Sequence, residues 1–311
     1  MFQNYTNIRK FAIFTVNCEF MQTLENDILT VQVSEHGAEL QSIRKDGTEY
    51  LWQGDPAYWG RRSPVLFPIV GSVWEKRYRV QGKEFGLGQH GFARDMDFQL
   101  VSHTEDEVRY RLESSDETLK KYPFQFVLEI AYRLHGNCID VIWDVENPSF
   151  QDLYFQIGAH PAFNYPDYSL EKKERGFLEF DRSEGLECIR IKEKGCVDAQ
   201  TRYPLEIPAD GLLPLASDTF DAIDTIMLQD AQVKEVKMYR ADRTPWLKMT
   251  FDAPVIGIWS PPGKVAPFIC LEPWYGRCDS AGYEGEYQDK DWINRLAPGE
   301  KFHSVYTVEI C

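Results

Sequence analysis

The chain has 311 residues, 43% of them hydrophobic and 27% charged, the balance of a folded globular protein and not of a disordered one. Its formal net charge of −15 repels phosphate backbones and anionic lipid, which argues against nucleic acid or a membrane surface as partner and leaves a neutral or cationic small molecule. No apolar run is long enough to span a bilayer.

Residues 9–17, RKFAIFTVN, put two positive charges ahead of six apolar or small residues, fewer than the roughly 7–15 of a secretory core, and no cleavage pattern follows. Residues 1–20 therefore read as a dispensable upstream extension, with Met21 opening the first clean strand signal and 21–311 forming one domain. From there period-two alternation dominates. ILTVQV (28–33) alternates, KDG (45–47) signals a turn, and EVRYRLES (107–114) alternates again. DETLKKY (116–122) is the best helical stretch, with Asp116 as its cap and Pro123 as its stop. FQFVLEIAYRL (124–134) and CIDVIWDV (138–145) follow on either side of the turn signal LHGN (134–137). LEKKERG (170–176) reads as a solvated loop, and PADG (208–211) as a third turn. LYFQIG (153–158), VKEVKMYR (233–240), WLKMTF (246–251), VIGIW (255–259) and FHSVYTVEI (302–310) complete the strands.

Alternation turns one set of side chains inward and the other outward, as in antiparallel sheets with one buried face. No linker, repeat or low-complexity tract interrupts the chain. The pattern predicts an all-β fold: one large antiparallel β-sandwich with few short helices. The seven cysteines (18, 138, 188, 196, 270, 278 and 311) show no CxxC spacing and read as free thiols of a reducing, cytoplasmic compartment.

Three segments break the strand pattern with groups that packing does not require. They are GLGQHGFARD (86–95) with His90, FQIGAHPAFNYP (155–166) with His160, and FICLEPWYG (268–276) with Glu272. Taken singly, each histidine reads as a hydrogen-bonded turn residue and the glutamate as a surface ion-pair partner. As a set, two histidines and a carboxylate at strand ends are what general acid–base chemistry uses.

Together with WGRRSPVLFPIVGSV (59–73), HGFAR (90–94), GAHPAFN (158–164), DTIML (224–228), LEPWYG (271–276) and LAPGE (296–300), these segments give the chain its resemblance. It resembles the aldose 1-epimerase (galactose mutarotase) family, and more closely its LacX-like branch, over roughly residues 24–310. The resemblance implies a mutarotase-like β-supersandwich with an open sugar cleft, an aldose as its small-molecule partner, and no metal or organic cofactor. By motif, Glu272 resembles the family's general base, His160 its general acid, and His90 the histidine that holds the sugar near its ring oxygen. A sugar-contacting arginine falls at Arg61 or Arg62, and a hydroxyl-binding aspartate at Asp224, with Asp221 as its rival. An asparagine–arginine motif of the better-known members is replaced here by RRSPVLFPIVG, which leaves the sugar open. So are its phosphorylation and the choice between monomer and homodimer.

Burial beside Leu271 and Trp274 is expected to raise the Glu272 pKa, and a nearby carboxylate to let His160 carry a proton at neutral pH. Gly88 and Gly91 would turn the backbone so that His90 faces the cleft, with Arg94 and Asp95 bracing behind. Trp74 and Trp274 are the expected stacking platforms for a sugar face. Rival readings are a hexose-6-phosphate mutarotase, a non-catalytic carbohydrate-binding protein and a metal site built from the three acid–base residues.

Overall fold

A computed structural model describes residues 20–311, and the expected upstream extension lies, but for Phe20, outside them. Two large antiparallel sheets dominate. The first has nine strands, in the spatial order Leu213–Ala216, Glu174–Phe180, Glu235–Tyr239, Pro245–Phe251, Lys301–Ile310, Cys138–Glu146, Val127–His135, Glu107–Glu113 and Gln99–His103. The second runs Cys196–Pro204, Glu187–Glu193, Thr225–Leu228, Val255–Trp259, Phe268–Tyr275, Ile157–Ala159 and Val65–Leu66, with Ala162–Asn164 also on Phe268–Tyr275. A hydrophobic core joins them, drawing Ile130, Trp143 and Val308 from the first and Ile226, Ile258 and Leu271 from the second. The expected all-β sandwich is therefore what the chain adopts. Among the described residues no helix is long and apolar enough to cross a membrane.

The alternating stretches fall in strands because one side of each meets this core. Glu107–Glu113 shows it plainly, with Val108, Tyr110 and Leu112 buried between more exposed neighbours. The turn at His135–Cys138 closes a hairpin whose nine pairs, that one included, stay in register. LYFQIG does not form one strand. Leu153–Phe155 pairs with Asn294–Leu296, Ile157–Ala159 joins the second sheet, and the buried Gln156 between them accepts from the Val70 amide and donates to the Asp291 carbonyl.

Two local expectations are corrected. The helix Asp116–Leu119 is capped by Ser115 and not by Asp116, because Ser115 and Thr118 each accept the other's backbone N–H. Asp116 then sits in the first turn, where its charge suits the helix dipole. LEKKERG is not all solvated loop: Glu174–Phe180 begins inside it and buries Arg175. That guanidinium donates to the carbonyls of Ser169 and Lys172 and lies over the Tyr168 ring.

Candidate active site

Successive side chains of a strand face opposite ways, and Phe268–Tyr275 is buried on both faces. Ile269 and Leu271 enter the shared core, whereas Phe268 and Cys270 pack with Trp52 and, at its edge, Trp59 and Trp259. Glu272 belongs to this second face, turned away from the nine-stranded sheet. Directly opposite on the neighbouring strand stands Gly257. A methyl group there would fall 2.4 Å from the Trp274 ring, and one at Gly158 2.5 Å from it, so the two glycines admit the indole that walls the site.

An open cavity of about 330 Å³ lies over this face and is lined by His90, His160, Glu272, Asp224 and Trp274 among others. Its volume is within the roughly 300–1,000 Å³ of small-molecule pockets. His160 Nε2 stands 3.3 Å from Glu272 Oε2, and both side chains are nearly closed to solvent. The His90 ring meets the His160 ring edge-on, 5.6 Å between centroids. Asp224 accepts a hydrogen bond of 3.1 Å from the Trp259 indole, while Asp221 caps the Gly263 amide outside the cavity.

Burial disfavours every charged form here. It drives the Glu272 pKa well above the ordinary 4.5, with help from the neighbouring Asp224 carboxylate. It also pulls His160 down to about 3, helped by the positive charges of Arg94 and Arg61. His90 falls well below 6.5 for the same reasons, with His160 adding to the effect. The expected rise for Glu272 is present. The expected protonated His160 is not: desolvation outweighs the nearby carboxyl group.

Several sequence candidates land elsewhere. Neither Arg61 nor Arg62 lines the cavity: Arg61 pairs with Asp95 at 2.7 Å, and Arg62 donates to the Gln41 carbonyl. Arg94 takes that position. It donates to the Gln89 carbonyl and its Nε lies 3.8 Å from Asp95 Oδ2, as a brace would, yet the residue also lines the cavity. Trp74 is outside too, its ring covered by the Lys194 ammonium. With Trp274, the aromatic walls are Trp59, stacked on His160 at 4.7 Å, and Trp259, edge-on to it at 5.5 Å. Gly91 is needed for the His90 turn, since φ is +71° and a methyl group would collide with the Phe67 carbonyl. Gly88 is not, because its Cβ position is open and His90 itself takes the left-handed φ of +64°.

For a cation, the described residues offer His160, Cys270 and Glu272, with ligand atoms within 4.8 Å of one another, and not the three acid–base residues as a set. Burial pushes both the Cys270 thiol and the Glu272 carboxyl upward, so a cation would have to displace two protons from a dry wall.

Residues 21–308 match the family model for aldose 1-epimerase, and the chain belongs to that family. Protein LacX from Lactococcus lactis subsp. lactis is 35% identical over 297 residues, covering 92% of this chain and 98% of its own. A solved galactose mutarotase related enzyme from Lactobacillus acidophilus superposes with a TM-score of 0.86 at 33% identity, covering 94% of this chain and 97% of its own. A shorter similarity, 30% identity over 102 residues, links 30% of this chain to 32% of a protein named "Putative glucose-6-phosphate 1-epimerase" from Escherichia coli (strain K12).

Proposed function

We propose that this protein interconverts the α and β anomers of a free hexose by general acid–base ring opening and closure. The observation that carries the reading is the buried His160–Glu272 contact in the cavity wall, with His90 and Asp224 on the same cavity. Ring opening needs a base at the anomeric hydroxyl and an acid at the ring oxygen. Glu272 takes the first proton and His160 delivers the second; closure on the other face reverses both transfers. The pair thus carries one proton in two placements, Glu⁻ with HisH⁺ before opening and GluH with neutral His after it. Burial favours the second placement, the one that accompanies the open-chain sugar. Each positioned acid or base contributes on the order of 10²–10⁴ in rate. His90 donates near the ring oxygen, Asp224 holds a hydroxyl, and Trp59, Trp259 and Trp274 cover the sugar's apolar face. The scheme uses no metal or organic cofactor.

A second reading, a hexose-6-phosphate mutarotase, is favoured by the Arg94 guanidinium among the cavity's lining residues and by the partial similarity to the Escherichia coli protein. One screen tests both. Freshly dissolved aldoses and aldose 6-phosphates are followed by NMR for accelerated anomer exchange. Acceleration of free hexoses supports the first reading, acceleration of phosphorylated sugars alone supports the second, and acceleration of neither rejects both.

A further inference from the structure

The geometry points to Asp279 as a positioning residue for His90: its carboxylate, kept buried by the Lys290 ammonium, clamps the 71–74 turn, so that the Gly71 amide holds the imidazole in its Nε2–H tautomer. The role of that tautomer in turnover rests on the proposed sugar contact of His90; the clamp itself does not.

Neither residue takes part in the acid–base scheme, yet both are almost wholly buried, at 4% and 3% exposure. Buried charges persist where they are paired and hydrogen-bonded. Lys290 Nζ donates to one carboxylate oxygen of Asp279. The other oxygen accepts the Trp74 backbone N–H at 2.7 Å, and the Asp279 N–H donates to the Ser72 carbonyl at 2.9 Å. One residue therefore grips the turn at both ends. The preceding residue also presses on the start of the turn, for a methyl group on Gly71 would fall 2.6 Å from Cys278 Cβ.

Gly71 is the link to the site. Its carbonyl accepts the His90 backbone N–H at 2.8 Å, and its own N–H donates to His90 Nδ1 at 3.1 Å. A backbone amide can only donate, so Nδ1 is the bare acceptor nitrogen and the ring proton sits on Nε2. That leaves one polar atom on a ring that lines the cavity, and it is a donor. The charged or titratable groups around the ring are His160, Arg94 and Arg61, none of which stabilises a second proton. His90 is thereby a fixed neutral donor, distinct in task from the proton-exchanging His160.

The test uses the full-length, ¹⁵N-labelled protein, with long-range ¹H–¹⁵N spectra of the imidazoles and anomer-exchange kinetics on the same samples. Wild type is expected to show His90 with bare Nδ1 and protonated Nε2. The double variant Asp279→Asn/Lys290→Met removes both charges but keeps an acceptor for the Trp74 amide; it should retain the tautomer and at least half of kcat. Asp279→Leu/Lys290→Met removes the acceptor without stranding a buried charge. It should populate both tautomers and lose kcat by roughly 10–100-fold, the scale of a small misplacement of a reacting group, with KM within about threefold. A wild-type His90 carrying its proton on Nδ1 overturns the proposal. So does a folded Leu/Met variant with the wild-type tautomer and kcat. Should that variant fail to fold, the tautomers of wild type and of the Asn/Met variant decide. If wild type turned over no sugar, the functional reading would fail while the spectra still tested the clamp.

Discussion

Two histidine–carboxylate pairs in this molecule differ in a way that separates structure from chemistry. On the outer face of the nine-stranded sheet, His303 meets Asp144 at 2.7 Å, with 64% and 32% of their side-chain surfaces open to water. Asp144 also receives Arg109, which bonds Glu129 and Glu107 in turn, so each carboxylate there has a cation. On the cavity face of the other sheet, His160 and Glu272 are farther apart, at 3.3 Å, and 9% and 2% exposed. The shorter contact is the less consequential one. Water and arginine screen the first pair, and such surface pairs contribute little, about 0–1 kcal/mol. Removal from water makes the second pair reluctant to hold charge, the property that the proposed proton exchange with a sugar would use.

Exchanging carboxylate for amide in each pair is the harshest way to break this comparison. Glu272→Gln should lower kcat by at least about 10², the lower end of what a positioned acid or base contributes, and Asp144→Asn should leave it within about twofold. Steady-state polarimetry on both proteins reads the contrast, and similar losses in the two would erase it. A smaller effect sharpens it on the aromatic side. Trp59→Leu should raise KM roughly three- to tenfold, matching about 0.5–1.5 kcal/mol of lost stacking, while Trp74→Leu leaves KM unchanged. The smallest effect expected is none: a chain starting at Met21 should match the full-length protein in solubility and activity.

Much of this was legible from the chain alone, and what was not has physical causes. Alternation reveals strands with one wet face, such as Glu107–Glu113, but Glu187–Glu193 and Cys196–Pro204 are polar and bulged and give no clean period. The motifs around His90, His160 and Glu272 marked residues that do share one cavity. Which face of Phe268–Tyr275 carries the site was not legible, because the strand is buried on both sides. Choosing Arg94 over Arg61 and Arg62 required knowing that Asp95 holds Arg61 and the Gln41 carbonyl holds Arg62. HGFAR carried the signal, yet a guanidinium that braces a turn and walls a cavity looks the same in sequence as one that only braces. Trp59 and Trp259 were hidden likewise, as a motif's first letter and a strand's last.

The claim that burial sets the proton inventory of His160 and Glu272 is tested most directly by the pH dependence of kcat/KM, corrected for spontaneous mutarotation. In the proposed scheme the working pair holds one proton. Falling pH adds a second to His160, whose pKa lies at about 3, so the rate should hold through pH 6.5 and fall only far below it. Rising pH strips Glu272, whose pKa is raised, so the alkaline limb should lie above the usual carboxylate range. An acid limb centred near 6.5, the value of a solvated imidazole, would contradict the account.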